Sequence, residues 1–520
     1  MFVMIIDTLR ADAVKGFCDQ RESVNFLERK LRSGTRLSNF ISSAGTTRIS
    51  VNSIFSGCYG GTTGLNYQNC HQEFEQARHF SMTEMFKCQG YQTIGMTQGH
   101  ISVIPNGFDH LYTEQQTFSV ENLKTHLSHS SHNFVYLHFY GVHDPAFGFP
   151  EQMTRENYEG LVDSVSDEIE LIWSQVINEN DVVVVLSDHG CQLRESFDPN
   201  WRFYLDEEPT AGCFLSDQTL KSVCSFIAPG LFPQKKLSTL TRGIDVLPTL
   251  LDALNLQVVP VQGCSLWPSI KLDLKCNIPY AFAETGGVQK ADGLAPSMCI
   301  RSNGEKYVRY TTHGEKLYNL AKDPREQDNL LKPSGDGGKL KELLKQQVND
   351  NKQFLAQAVK HYPEDWLLQK NRWPKPNIYK GQRKFAFSGL FDEQTKKHLR
   401  QQIGFVEKQW MDNKFNIAIY GASEHSKTFI EQIPSSLSKQ FVAVIDGNRQ
   451  RQGEMFLGLP IVHVSEFEQS YAPDIVLIGH HVLANDMYVS LKNVCSSQPR
   501  VFNIYNLQEE LPLWWDNVLI

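Results

Sequence analysis

DVVVVLSDHG, residues 181–190, is a nearly continuous β-branched run that stops at an aspartate, a histidine and a glycine. Runs of this kind form strands covered on both faces, whereas a half-exposed strand would alternate apolar and polar residues. Comparable runs recur as VMIID at 3–7, NFVYLHFY at 133–140 and SVCSFIAP at 222–229, with helical patterns between them. Strands alternating with helices predict an α/β domain, a mostly parallel sheet sandwiched by helices. Such sheets hold ligands at the carboxyl ends of their strands. The residues to inspect are therefore Asp7 and Thr8, His143 and Asp144, and Asp188 and His189.

The chain of 520 residues is too long for one ordinary domain and predicts two or three folded units. A net charge of -8 and the lack of a basic run exclude a nucleic-acid partner. The opening MFVMIIDTLRAD has no basic n-region and too short an apolar core for a signal peptide, so it reads as a buried strand. No apolar run approaches the roughly 20 residues that cross a bilayer, so no membrane span is expected. The 11 cysteines contain no CxxC pair, which suits a reducing compartment, and the cytoplasm is the expected location.

Asp7, Asp188 and His189 are oxygen and imidazole donors suited to a hard or borderline divalent cation. Each has a plainer reading, Asp7 as a helix N-cap and SDHG as a strand-ending turn. Their convergence at strand ends favours the cation.

Several ordered landmarks carry a family resemblance: IIDTLRAD, HFYGVHDP, LSDHG, GFDHLYTE, RGIDVLPTLLDALNL and EKLYNLAKDPREQDNLL. Over residues 2–331 the chain resembles the sulfatase branch of the alkaline phosphatase superfamily. The resemblance implies one divalent ion (Ca, Mg, Mn or Zn) on Asp7, Asp188, His189 and Thr47, with His143 contacting the substrate's sulfate or phosphate. Many sulfatases carry two adjacent aspartates before Leu-Arg; here the second is Thr8. In GMTQGH at 95–100 the family's lysine is replaced by Met96, and His100 stands in for a lost histidine.

SSAGTTRISVNSIFSG, residues 42–57, aligns with the segment that carries the family's nucleophile, which lies 10 positions before Gly57 and is Thr47 here. Sulfatases convert a Cys or Ser at that place to formylglycine, and threonine is not a substrate for the conversion. The Pro and Arg of the sulfatase pattern are also missing, and Arg48 follows the threonine directly. Sister branches, among them nucleotide pyrophosphatases/phosphodiesterases, use an unmodified threonine there. A threonine hydroxyl needs a metal to become a nucleophile, and His143 and Arg48 would stabilise the charge that develops. Thr47 also reads as a helix N-cap, Thr46 is its rival, and His138, inside an apolar strand, reads as a satisfied core histidine.

After residue 331, PSGDGGK, a polar helical stretch and WPKPNIYKGQRK read as a helical linker and connector over 332–412. From 413 to 520, KFNIAIYGASEHS, FVAVIDGN and PDIVLIG resemble a smaller Rossmann-like α/β domain of the nucleotide or nucleotide-sugar binding type. Its ligand would meet Gly421, Ser423 and Asp446. A structural or homo-oligomer contact is the competing role, and the apolar tail LPLWWDNVLI reads as a docking segment.

The reading that unites these features is a metal-dependent hydrolase or phosphotransferase acting on a phosphate ester or diester of a small molecule or glycan through Thr47. Its alternatives are a sulfuric ester hydrolase and a non-catalytic protein that binds a glycan or nucleotide sugar.

Overall fold

The structure, a computed structural model, describes residues 1–19, 21–66, 79–99, 101–113, 118–127, 132–143, 153–191, 193, 215–285, 297–310, 314–331, 337–380, 403, 410, 414–422, 424–479, 487, 490, 491, 494 and 499–504. His100, Asp144, Ser423 and the tail LPLWWDNVLI lie outside them. The chain divides into two compact units, the first of residues 1–198 and 209–384 and the second centred on 385–520.

The first unit is built on a sheet of 9 strands. Its strand order is Lys235–Leu237, Thr35–Leu37, Cys224–Ile227, Val183–Leu186, Phe2–Ile6, Asn133–Phe139, Gln92–Thr97, His110–Thr113 and Asn377–Lys380. Val183–Leu186 and Asn133–Phe139 flank Phe2–Ile6 in parallel, with Ile5 opposite both Leu186 and His138. The expected mostly parallel sheet is present, but the run at 222–229 enters it reversed: Cys224–Ile227 pairs antiparallel on both sides.

Successive strand residues face opposite sides of a sheet. Met4, Ile6, Val135, Leu137 and Phe139 join one core. Against it lie Leu27 and Leu31 of the helix Phe26–Ser33, and Tyr158, Val162, Val165, Ile169 and Ile172 of the helix Arg155–Val176. The three- and four-residue spacing of the latter set makes one apolar stripe. On the opposite face Phe134 and Tyr136 meet Phe55, whose ring stands edge-on to both, at centroid distances of 6.4 and 5.1 Å. Phe55 belongs to the helix Thr47–Ser56, every residue of which is buried.

A second sheet, an antiparallel meander of Ala281–Thr285, Ser297–Arg301, Glu305–Arg309 and Glu315–Asn319, completes this unit. The stretch expected to act as a linker contributes to the same unit. Leu340 and Leu344 of the helix Gly338–Ala358 are buried with Phe282, Ile300 and Tyr307, and Asn377–Lys380 is the last strand of the large sheet. Apolar residues on one face of the helix make it a packed element rather than a spacer. Among the described residues no helix is long and apolar enough to cross a membrane.

The second unit has a six-stranded sheet in the order Met455–Phe456, Leu459–His463, Phe441–Asp446, Ile417–Tyr420, Ile475–Ile478 and Arg500–Asn503. All pairs are parallel except the first. Ile417 and Ile419 enter one core, Ala418 and Tyr420 another, so both faces are covered.

Candidate active site

The Thr47–Ser56 helix starts one residue earlier than a capping role for Thr47 requires. Thr46 is the N-cap, with extended backbone and no side-chain capping bond, and Thr47 is the first helical residue. The helix closes at Gly57, whose φ of 64° is the left-handed conformation that glycine supplies cheaply and whose N–H bonds to the Ser53 carbonyl. The Thr47 hydroxyl therefore sits in the first turn of the helix, at the positive end of its dipole.

Asp7 and Asp188 each lie two residues beyond the paired positions Ile5 and Leu186, so parallel register alone brings them side by side. Thr47 Oγ1 is 3.3 Å from Asp7 Oδ2 and 3.3 Å from His189 Nε2. The turn that carries Asp188 is fastened to the helix, because the Ser42 and Ser50 hydroxyls both donate to the Asp188 carbonyl. Gly190 closes the turn: its N–H donates to the Thr219 carbonyl, and a Cβ there would run into the Gln218 carbonyl. The second sheet supports that contact, since Asp217, which opens the helix Asp217–Leu220, is paired with Arg301 at 2.8 Å and with the buried Lys306 at 3.3 Å.

Each carboxylate has one oxygen held and one unpaired. Asp188 Oδ1 accepts the N–H groups of Thr8 and His189, at 3.1 and 2.8 Å. Thr8 achieves this with a φ of 60°, a strained conformation for a β-branched residue, and its carbonyl is held by the Tyr158 hydroxyl at 2.6 Å. Among the described residues, Asp7 Oδ1 and Asp188 Oδ2 are buried and accept no hydrogen bond. His189 Nδ1 donates to the Gly190 carbonyl at 2.7 Å, which leaves the lone pair on Nε2, 3.8 Å from Asp7 Oδ1 and 3.4 Å from Asp188 Oδ2.

Two buried, unpaired carboxylate oxygens facing one imidazole lone pair would be costly without a cation, and the donor set fits a divalent one. Asp7, Asp188 and His189 form a group whose ligand atoms all lie within 4.8 Å of one another. Their electrostatics are those of a crowded carboxylate pair. Burial pushes Asp7 up, but the His143 charge and then the His138 hydrogen bond and charge outweigh it and hold this carboxyl well below the usual range. Asp188 is pushed up, first by burial and then by the Asp7 charge.

The His143 ring is 5.4 Å from that of Tyr140, near enough for its charge to act on Asp7, and Arg48 is buried beside Thr47. His138 departs from its reading as a satisfied core residue: its Nε2 lies 3.3 Å from Asp7 Oδ2. The available signal was the alternation in NFVYLHFY, which puts Phe134, Tyr136 and His138 on one face.

Residues 1–126 match the family model described as Sulfatase. The first unit has the alkaline phosphatase-like fold. A Delta 4,5-hexuronate-2-O-sulfatase of Bacteroides thetaiotaomicron is 29% identical over 185 residues, which are 34% of this chain. The match spans 36% of that relative's own length. Among solved structures, a 2-O GAG sulfatase is 17% identical with a TM-score of 0.50, covering 72% of this chain and 96% of its own. A protein in complex with its substrate D-glucosamine-2-N,6-O-disulfate is 14% identical with a TM-score of 0.50, covering 68% and 98%. These likenesses extend the shared fold well beyond residue 126.

In the second unit, Gly421 (φ 105°) and Asp446 end neighbouring strands. The Asp446 carboxylate is engaged by Arg451 at 3.1 Å and by the Asn448 N–H at 2.9 Å, and Arg451 also donates to the Ala422 carbonyl.

Proposed function

We propose that the first unit is a metal-dependent phosphoester hydrolase or phosphotransferase with Thr47 as nucleophile and a substrate of the glycan-ester class. The observation that carries this reading is the Thr47 hydroxyl at a helix N-terminus, 3.3 Å from both Asp7 Oδ2 and His189 Nε2. A divalent cation on Asp7, Asp188 and His189 supplies the Lewis acidity that makes a threonine hydroxyl nucleophilic and neutralises developing phosphoryl charge. Thr47 Oγ1 forms the new bond to phosphorus as the bond to the leaving alcohol breaks, and Asp7 Oδ2, 3.3 Å away, takes the hydroxyl proton, the His189 lone pair being engaged with the cation. The resulting phosphothreonine is resolved by water or by an acceptor alcohol. His143 and Arg48 bind the phosphoryl oxygens, and the helix N–H groups add to the positive field. A glycan substrate is favoured by the names of the relatives, which act on or bind sulfated sugars.

A sulfuric ester hydrolase is the second reading, favoured by the family match and opposed by threonine at position 47. The two part in an assay of nitrophenyl phosphate, bis-nitrophenyl phosphate and nitrophenyl sulfate with Mn, Ca, Mg or Zn supplied. Phosphoester turnover that falls at least about 10³-fold in Thr47→Ala and in Asp188→Ala supports the threonine mechanism. Sulfate turnover that survives Thr47→Ala overturns it.

For the second unit we infer a Rossmann-like nucleotide or nucleotide-sugar domain. Its support is the strand order, in which the chain reverses direction of travel beside Ile417–Tyr420, where Gly421 and Asp446 end their strands. Calorimetric titration with nucleoside diphosphates tests it, and heat that persists unchanged in Asp446→Ala refutes the assigned contact.

A further inference from the structure

His138 is fully buried in the strand beside Asp7. Its Nδ1 lies 2.7 Å from the Tyr136 hydroxyl, and its Nε2, which has no hydrogen-bond partner among the described residues, lies within ion-pair distance of Asp7 Oδ2, at 3.3 Å. The carboxylate facing Nε2 favours the imidazole proton there, which leaves Nδ1 to accept from the Tyr136 hydroxyl. Asp7 Oδ2 is then shared by His138 and Thr47, while Oδ1 is turned toward His189 and Asp188.

We propose that His138 is a positioning residue for the cation site. Through Nε2–H it fixes the rotation of the Asp7 carboxylate so that Oδ1 is presented to the ion and Oδ2 to the nucleophile, with the Tyr136 hydroxyl bonded to its Nδ1. The strand supplies the rigidity: His138 and Asp7 project from the same face of adjacent paired strands, so neither side chain needs a mobile loop to reach the other. The proposal rests on the cation site inferred above and assigns His138 no bond to the ion.

The test is titration calorimetry of the purified full chain with Mn²⁺ alone, beside the melting midpoint of the cation-free protein. His138→Leu is expected to weaken Mn²⁺ binding by about 10- to 100-fold, the usual effect of losing an outer partner of a metal ligand. His138→Gln, whose amide can still donate to Asp7, is expected to recover most of that loss. Tyr136→Phe keeps the imidazole in a side chain of nearly the same shape and serves if the leucine variant does not fold; it is expected to weaken binding severalfold. Wild-type affinity in His138→Leu, or in Tyr136→Phe where the leucine variant is not folded, overturns the proposal. A lowered melting midpoint with unchanged affinity also overturns it, since that is a structural role alone. Wild-type protein that binds no Mn²⁺ would instead remove the cation site itself.

Discussion

Glu284 should make the first unit less stable as the pH rises toward neutrality. It lies in the strand Ala281–Thr285, is 1% exposed, and accepts from the Gly61 N–H at 2.6 Å, its one side-chain hydrogen bond among the described residues. Burial pushes this carboxyl from its ordinary 4.5 up to about 7, against the smaller opposing effect of the Gly61 bond. The folded state therefore holds a proton that the unfolded chain releases near 4.5. A raised folded value contributes stability that is complete below 4.5 and is lost as pH climbs to about 7. The gap corresponds to about 3.4 kcal/mol at ~1.36 kcal/mol for each tenfold change in proton affinity. Glu284→Gln imitates the protonated side chain and carries no charge to bury. Urea denaturation of both proteins at intervals from pH 4.5 to 8 should give equal midpoints at the acid end. The variant should gain steadily up to about pH 7, by a few kcal/mol in total, with no further divergence above it. A wild-type minus variant difference that is flat across this range, or that grows in favour of the wild type, refutes the reasoning.

Other perturbations have expected outcomes of similar directness. Gly57→Ala forces an L side chain into a φ of 64° with its Cβ 3.0 Å from Val261, and should cost about 1–3 kcal/mol in denaturation experiments. Tyr158→Phe removes both the donor to the Thr8 carbonyl and the acceptor for the Arg10 N–H, leaving two buried backbone groups unpaired. It should cost about 1–3 kcal/mol and weaken Mn²⁺ binding, which calorimetry would register. Chelation should lower the melting midpoint of the wild type, because a cation at 100 times its Kd stabilises by about 2.7 kcal/mol, and should leave Asp188→Asn unmoved.

The large sheet was legible because its central strands are locally unambiguous. VMII and VVVL are too apolar and too β-branched to be anything but covered strands, and parallel pairing makes the residue after each one a neighbour of the next. That is why Asp7, Asp188 and His189 could be nominated together before any register was known. The meander from Ala281 to Asn319 was not legible because its strands carry charges such as Lys306, which is buried only because Asp217 and Glu326 come to it from elsewhere in the chain. The reversed strand Cys224–Ile227 looks like its parallel neighbours, since composition does not encode direction. His138 was hidden by apolar neighbours on both of its faces; only the pairing of Ile5 with His138 reveals what it points at.

The burial of the Thr47–Ser56 helix on every side has a consequence for timescales. A helix with no solvent-facing side has no local route to opening, so its amide protons should exchange only when the whole first unit unfolds. The threonine hydroxyl is therefore carried by one of the slowest-exchanging parts of the molecule, and heat should remove catalysis and amide protection at the same temperature rather than in sequence. Any motion that admits substrate must come from the surrounding chain, with the proposed nucleophile standing still.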